Sequence, residues 1–324
     1  MHRNVKYLTA AGIAISMLAP AAMATAATKS KLQTKTIGIS FPTYSQQAGP
    51  TLEINVAKEE AKKQGYKLLV DDPGKDNTKQ LSTVETWINQ GVGTIILQPL
   101  STEPFEAVAA KARKKGIKWV VYANAMKNQD ATLGFDHIQG GSQIATDAAK
   151  YINEKLGGKA EVAVLTFTSG AWARNRQKGI EDALLKAAPG ATIVARQDAL
   201  SKTDGVNVAG PLFQAHPNLS VVLAVEEDAT EGVYQWLSTN GHDKNDPKIY
   251  LAGIDGTKGV FELLGAGPSM YRSSAGLDLV AVGKGFVSLP KDLWAGKTGD
   301  YSVPFELVTS ATPDLVKKYS AFYK

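Results

Sequence analysis

Ile-Tyr-Leu-Ala-Gly-Ile-Asp-Gly-Thr, at residues 249–257, is the stretch of sequence that decides the fold. It opens with an apolar run about as long as one strand, and the Asp-Gly pair that follows indicates a sharp turn. Thr257 is suited to begin the helix after that turn. In an open α/β sheet the carboxyl ends of the strands border the ligand crevice, so Asp255 would face a ligand there. The alternative is that Asp255 only caps the next helix.

This stretch belongs to an alternation of strands and helices that runs along almost the whole chain and predicts parallel sheets. Strands are predicted at residues 36–40, 66–70, 94–97, 119–122, 131–135, 162–166, 192–197, 221–224, 249–254, 270–274 and 303–309. Helices are predicted at residues 52–64, 78–89, 105–115, 144–156, 173–187, 206–214, 230–240, 259–264, 279–295 and 314–323. Gly65, Gly91 and Gly116 each lie just past the end of a predicted helix, where a C-terminal glycine is favoured.

The second half of this alternation repeats the first, and the pattern changes character near residues 136–141. A chain of 324 residues is long for one core and comfortable for two. We therefore predict an α/β protein of two similar Rossmann-like parallel-sheet domains, joined by several crossings of the chain. The N-terminal lobe is predicted at 36–138 plus 276–302, and the C-terminal lobe at 139–275 plus 303–324.

The N-terminal segment predicts export. Arg3 and Lys6 form a positive start, residues 8–18 are apolar, and small residues follow, which describes a secretory signal peptide at 1–26. The alternative, an uncleaved membrane anchor, is disfavoured because the apolar part is shorter than the roughly 20 residues of a span. The chain has no cysteine, so it offers neither a disulfide nor a lipid-attachment site. We expect a soluble periplasmic protein after cleavage.

Composition and missing motifs exclude several functions. The 36 basic and 31 acidic residues are interspersed, which gives nucleic-acid binding little support. Phosphate-binding, dinucleotide-binding, hydrolase-elbow and zinc-protease motifs are missing from the sequence. With four histidines and no cysteine, we predict no metal, no cofactor and no catalytic residue. Carboxylates suited to a glycosidase are present, but the sequence does not fix their separation.

Polar and aromatic residues follow the predicted strands at the ends expected to border the crevice. The candidate ligand-binding residues are Phe41, Tyr44, Gln98, Asn124, Trp172, Arg176, Glu226 and Asp255. Carboxylates and amides accept hydrogen bonds from hydroxyl groups, arginine donates them, and flat aromatic rings pack on a sugar face. The set predicts a neutral polyhydroxylated ligand.

Other interpretations apply to several of these positions. Arg176 would otherwise be a solvated helix arginine, and Trp172 would fill a core. The acidic run 226–228 is typical of a helix-capping cluster, and we expect only one or two of its members to face the cleft. His137 is predicted at a hinge or on the surface rather than at a ligand.

Short motifs in a specific order add a resemblance. They are Thr-Ile-Gly-Ile-Ser at 36–40, Gln-Gly-Tyr at 64–66, Ile-Ile-Leu-Gln-Pro at 95–99, Ala-Arg-Asn-Arg-Gln-Lys-Gly at 173–179, Ala-His-Pro at 215–217 and Gly-Ile-Asp-Gly-Thr at 253–257. With these motifs the mature chain resembles the ribose- and galactose-type sugar-binding proteins of ABC importers, which have the type I periplasmic binding protein fold. The resemblance implies that Asp255 accepts from ligand hydroxyls and that Arg176 binds sugar. It also implies that Gln98 supplies an amide and that Phe41 or Tyr44 packs on the ring.

The resemblance also implies a monomer that closes about a hinge and delivers its ligand to an ABC permease. The chain departs from the ribose-binding pattern at two places, with Asn124-Ala125 after the fourth strand and Glu226 where an asparagine is typical. We therefore predict another polyol, a hexose derivative or an amino-bearing sugar instead of ribose. The alternatives are a receptor of the same fold that signals to a chemoreceptor or sensor kinase, and an exported carbohydrate enzyme.

Overall fold

A computed structural model describes residues 34–323 of the chain. The predicted signal peptide at 1–26 lies outside the described residues. None of the helices within 34–323 has the length and apolar character needed to cross a membrane.

The described chain forms two sheets of six strands each. The strands are β1 Thr36–Ser40, β2 Lys67–Asp71, β3 Thr94–Leu97, β4 Lys118–Tyr122, β5 Ala131–Gly134, β6 Ala160–Thr166, β7 Ala191–Asp198, β8 Leu219–Ala224, β9 Tyr250–Asp255, β10 Tyr271–Leu277, β11 Tyr301–Ser302 and β12 Phe305–Thr309. The first sheet has the order β11-β5-β4-β3-β1-β2 and the second β12-β10-β9-β8-β6-β7. Neighbouring strands are parallel throughout, except that β12 runs antiparallel to β10.

Helices cover both faces of each sheet. They are α1 Ala48–Lys63, α2 Asn77–Gln90, α3 Phe105–Lys114, α4 His137–Lys155, α5 Ala171–Ala187, α6 Lys202–Ala215, α7 Glu227–Thr239, α8 Lys258–Gly265, α9 Leu279–Trp294 and α10 Pro313–Ser320. One buried apolar cluster contains residues of both sheets, among them Ile39 of β1, Val164 of β6 and Ile254 of β9. A separate cluster lies on the opposite face of each sheet. The prediction of two parallel-sheet α/β halves is confirmed, while the lobe boundaries given above remain a prediction.

The chain passes between the sheets three times, because β5 precedes β6, β10 precedes β11, and β11 precedes β12. The last passage corrects the single strand predicted at 303–309. Val303 donates its backbone N–H to Gly134 in the first sheet, while Phe305 already pairs with β10 in the second. Pro304, which has no N–H to donate, stands between the two short strands.

Several helices begin earlier than predicted, α1 and α6 by four residues and α4 by seven. Helix α1 includes Gly49 and Pro50, because proline is tolerated in a first turn. Helix α4 begins at His137, where the Asp136 side chain accepts a hydrogen bond from the Gln139 N–H. Gly141 lies inside α4 and permits close packing, since a Cβ there would stand 2.1 Å from the Arg176 carbonyl oxygen on α5.

Candidate functional site

Asp255 is the last residue of β9 and takes a left-handed backbone conformation with φ 94°. Such a conformation is uncommon for a residue other than glycine, although Asp and Asn adopt it more readily than most. Gly256 continues the turn with φ 80°. The N-cap of α8 is Thr257, whose hydroxyl accepts from the Val260 N–H. Asp255 is therefore not the cap of α8, and the capping interpretation is wrong.

Arg176 holds the Asp255 carboxylate in a bidentate ion pair. Its Nη1 lies 2.7 Å from Asp255 Oδ2, and its Nη2 lies 2.7 Å from Oδ1. Nη1 also donates to the Val225 carbonyl oxygen at 2.8 Å. The Arg176 side chain is only 3% exposed, against 21% for that of Asp255. Arg176 is thus a buried partner of Asp255, and the interpretation as a solvated helix arginine is wrong.

His137 fixes the other edge of the guanidinium. Arg176 Nε donates to His137 Nδ1 at 3.2 Å, so this nitrogen carries no proton. Burial, followed by the positive charge of Arg176, lowers the pKa of His137 to about 3. The imidazole is neutral at physiological pH. His137 is a buried residue at a passage between the sheets, so the surface alternative is wrong and the hinge alternative stays a prediction.

Three aromatic rings surround the Arg176 guanidinium. Its Cζ lies 5.1 Å from the ring centroid of Trp172, 5.4 Å from that of Phe305 and 5.9 Å from that of Phe135. Contacts within about 6 Å are attractive for a cation over an aromatic face. Trp172 is half-buried and packs at the edge of this group. The structure therefore assembles Trp172, Arg176 and Asp255 from α5 and β9.

Glu226 and Glu227 begin α7 at the carboxyl end of β8, but their surroundings differ. The Glu226 carboxylate makes no capping hydrogen bond, stands 3.9 Å from Arg176 Nη1 and is 24% exposed. Burial raises the pKa of Glu226 well above its usual range, and the charge of Asp255 raises it further.

Glu227 is fully buried and accepts from the Gly256 N–H and from the hydroxyls of Ser274 and Tyr271. Burial raises its pKa to about 8. Glu227 is thus a structural group behind the turn that carries Asp255, and Glu226 is the partly exposed acid of the two.

The first sheet contributes aromatic rings to the same region. Phe41 follows β1 directly, and its ring centroid lies 5.2 Å from that of Tyr122 and 6.4 Å from that of Tyr44. The Tyr122 hydroxyl donates to the carboxyl group of Glu53, at 3.0 and 3.1 Å from its two oxygens. Burial raises the pKa of Glu53, and the charge of Asp255 adds to this shift. Glu53 on α1 is therefore electrostatically coupled to Asp255 on the second sheet.

Gln98 and Asn124 follow β3 and β4 and are half-buried. Among residues 34–323, no group forms a hydrogen bond with either side-chain amide. The turn after β4 is fixed by its backbone, since Ala123 has φ 63° and the Asn124 N–H donates to the Tyr122 carbonyl. Both amides remain available to another molecule.

Sequence reasoning missed several members of this region. We call the following set the junction site: Phe41, Tyr44, Glu53, Gln98, Tyr122, Asn124, Phe135, His137, Trp172, Arg176, Glu226, Asp255 and Phe305. Phe135 ends a predicted strand, so the rule of strand ends would have selected it. Glu53 carries no such signal, because a single glutamate in an amphipathic helix is usually exposed.

In the described part of the chain, no group of His, Asp and Glu side chains is arranged to hold a metal ion.

Comparison with known proteins agrees with this architecture. A family model of the periplasmic binding protein domain matches residues 37–298. The chain belongs to the periplasmic binding protein family. It is 32% identical to the ribose import binding protein of Bacillus subtilis over 230 residues, which are 69% of this chain and 70% of that protein. It is 27% identical to a putative rhizopine-binding protein of Rhizobium meliloti over 288 residues, or 86% of this chain and 91% of that one.

A solved structure has the same fold. It is an ABC transporter solute binding protein from Bacillus halodurans with bound myo-inositol, and it superposes with a TM-score of 0.77 at 23% identity. The superposition covers 90% of this chain and 98% of that one. The type I periplasmic binding protein fold implied by the sequence is confirmed.

Proposed function

We propose that this protein is the soluble substrate-binding component of an ABC importer and binds a sugar or related polyol at the junction site. The observation that carries the proposal is the Arg176–Asp255 pair, which holds a carboxylate at the carboxyl end of β9 with both of its oxygens fixed. The Bacillus subtilis relative is named for ribose import, and the Bacillus halodurans structure contains bound myo-inositol. Both molecules are polyhydroxylated. The family consists of binding proteins, and we extend that role to this chain.

The residues suggest a division of labour in binding. Asp255 and Glu226 would accept hydrogen bonds from hydroxyl groups, and Gln98 and Asn124 would both accept and donate them. The rings of Phe41, Tyr44 and Trp172 would pack on apolar faces of the ligand. Arg176 would act mainly by orienting Asp255, because its side chain is 3% exposed.

The three passages between the sheets suggest how the ligand is enclosed. Two lobes joined by short passages can rotate as rigid bodies about the residues that connect them. We propose that ligand binding favours the closed arrangement, which a membrane permease then recognises. Export through cleavage near residue 26, a periplasmic location and a monomeric state belong to the same proposal.

A comparison of two aspartates tests the proposed site. Asp255 and Asp198 both end strands of the second sheet, but Asp198 hydrogen-bonds Thr168 in an exposed loop. We expect isothermal titration with sugars and cyclitols to identify a ligand, with Asp255→Asn weakening its binding by at least tenfold and Asp198→Asn leaving it unchanged. Equal effects of the two changes would remove Asp255 from the site. Turnover of the ligand during titration would contradict a binding role and favour an enzyme.

A further inference from the structure

Glu226 is a carboxylate of the junction site whose only close cation among the described residues, Arg176, is already paired with Asp255. In the part of the chain that the structure describes, no backbone or side-chain group donates a hydrogen bond to it. The nearest cation is Arg176, and the 3.9 Å between Nη1 and Oε2 exceeds hydrogen-bond length. The helix that follows does not use the Glu226 side chain as its cap.

The charge of Arg176 is already balanced by another group. The guanidinium donates to both oxygens of Asp255, to the Val225 carbonyl and to His137. The bidentate pair with Asp255 is neutral as a unit. Glu226 is therefore a second acid beside a guanidinium whose charge is matched, and the residues that contact this pair are aromatic or neutral.

We propose that the ligand of the junction site is a cationic polyol, a sugar or cyclitol that bears a protonated amine, and that its ammonium group pairs with Glu226. This inference rests on the proposed function and specifies its ligand class. Beside a neutral hydroxyl group Glu226 either keeps its proton or carries an uncompensated charge in partly buried surroundings. An ammonium group forms a charge-assisted hydrogen bond with the carboxylate and removes that cost. The remaining hydroxyls would bind Asp255, Gln98 and Asn124.

The protonation of Glu226 provides a second signature. Burial and the charges of Asp255, Asp228 and Glu227 raise its pKa, while Arg176 lowers it. A bound ammonium lowers the pKa again, so binding releases a proton from the fraction of molecules in which Glu226 is protonated. Affinity for an amine ligand should therefore rise with pH as Glu226 loses its proton, and a hydroxyl ligand should show no such rise.

Matched ligand pairs test the proposal by isothermal titration at pH 7. The probes are myo-inositol and its aminodeoxy analogue, glucose and glucosamine, and galactose and galactosamine. In at least one pair we expect the amine to bind about 10- to 100-fold more tightly, as one charge-assisted hydrogen bond implies. Glu226→Gln keeps the size of the side chain and should abolish this preference, so it should weaken binding of the amine member about 10- to 100-fold more than binding of the hydroxyl member.

Asp182→Asn is the control for net charge, because Asp182 is an exposed acid on α5 paired with Lys178. It should leave both members of each pair unchanged. Titrations of the tightest amine in phosphate and in Tris should give different enthalpies that report proton release, and Glu226→Gln should remove that difference.

The outcomes separate this inference from the proposed function. If the hydroxyl member binds as tightly as the amine, or if Glu226→Gln weakens both equally, the cationic ligand is excluded while sugar binding stands. If no member of any pair binds, the proposed function itself is contradicted, and this inference with it.

Discussion

The two sheets share one strand order but present different chemistry at their carboxyl ends. In the first sheet, β1, β3 and β4 are followed by Phe41, Gln98 and Asn124, none of which carries a charge. The corresponding β8 and β9 of the second sheet lead to Glu226 and Asp255, which lie against a buried guanidinium. A repeated topology thus positions two dissimilar half-sites. The charged half is held by many internal hydrogen bonds, whereas the aromatic and amide half keeps polar atoms available.

The largest expected effect comes from removing the charge that organises the second half. Arg176→Met leaves the Asp255 carboxylate without its partner and removes the donor to His137. Breaking a buried ion pair costs about 3–5 kcal/mol. We expect a loss of that size in the free energy of unfolding, measured by urea denaturation. Arg174→Met is the control, because Arg174 is an exposed residue of the same helix whose side chain donates to the Thr168 carbonyl. Equal stability of the two variants would show that the pair does not organise this half.

A second prediction concerns pH and the buried acid behind the Asp255 turn. The pKa of Glu227 is raised from 4.5 to about 8, so the folded protein keeps a proton that the unfolded chain releases. Stability from this group is therefore present below about pH 4.5 and is lost as the pH rises towards 8. The Glu227→Gln variant has no acid to titrate at this position. Between pH 5 and pH 8 its free energy of unfolding should therefore fall by roughly 2–4 kcal/mol less than that of the unchanged protein.

The control for this pH series is Glu181→Gln. Hydrogen bonding to Arg196 lowers the pKa of Glu181, which gives the opposite pH dependence. Denaturation curves at several pH values compare the variants. If the free energy of unfolding of Glu227→Gln depends on pH as strongly as that of the unchanged protein, the turn is not supported by a protonated acid.

The smallest expected effect lies on the first half. Tyr122→Phe removes the hydroxyl that donates to Glu53 and leaves that buried carboxyl group without its donor. One such hydrogen bond contributes about 1–2 kcal/mol. Thermal denaturation should reveal this loss, whereas Tyr301→Phe should change stability less, because the Tyr301 hydroxyl makes a longer bond of 3.4 Å to Ala281. A larger loss than that of Arg176→Met would reverse the contrast between the halves.

Local sequence patterns predicted most of the fold. Strands β1 and β3 match their predicted bounds, and Gly65, Gly91 and Gly116 have the positive φ expected past helix ends. The errors lie where packing overrides local preference. The two adjacent glycines near the start of α4 disfavour a helix by local preference alone. They nevertheless lie inside the helix, where β12 and α5 pack closely against them.

The site was predictable only in part, for a physical reason. Asp255 and Glu226 could be predicted as site residues because they lie at strand ends, and the position of a strand end follows from the local apolar pattern. The partners of these residues come from distant parts of the chain. His137 precedes Arg176 by 39 residues and Tyr122 follows Glu53 by 69, so no local pattern indicates these contacts.

The left-handed backbone at Asp255 limits how this protein can be redesigned, for example as a fluorescent biosensor. A β-branched or bulky side chain at position 255 would strain a turn that already places Asp255 and Gly256 at positive φ. Asparagine and glycine are the replacements that such a backbone tolerates. Attempts to retune the ligand preference should therefore keep position 255 and vary positions 98, 124 and 226, whose backbones impose no such restriction.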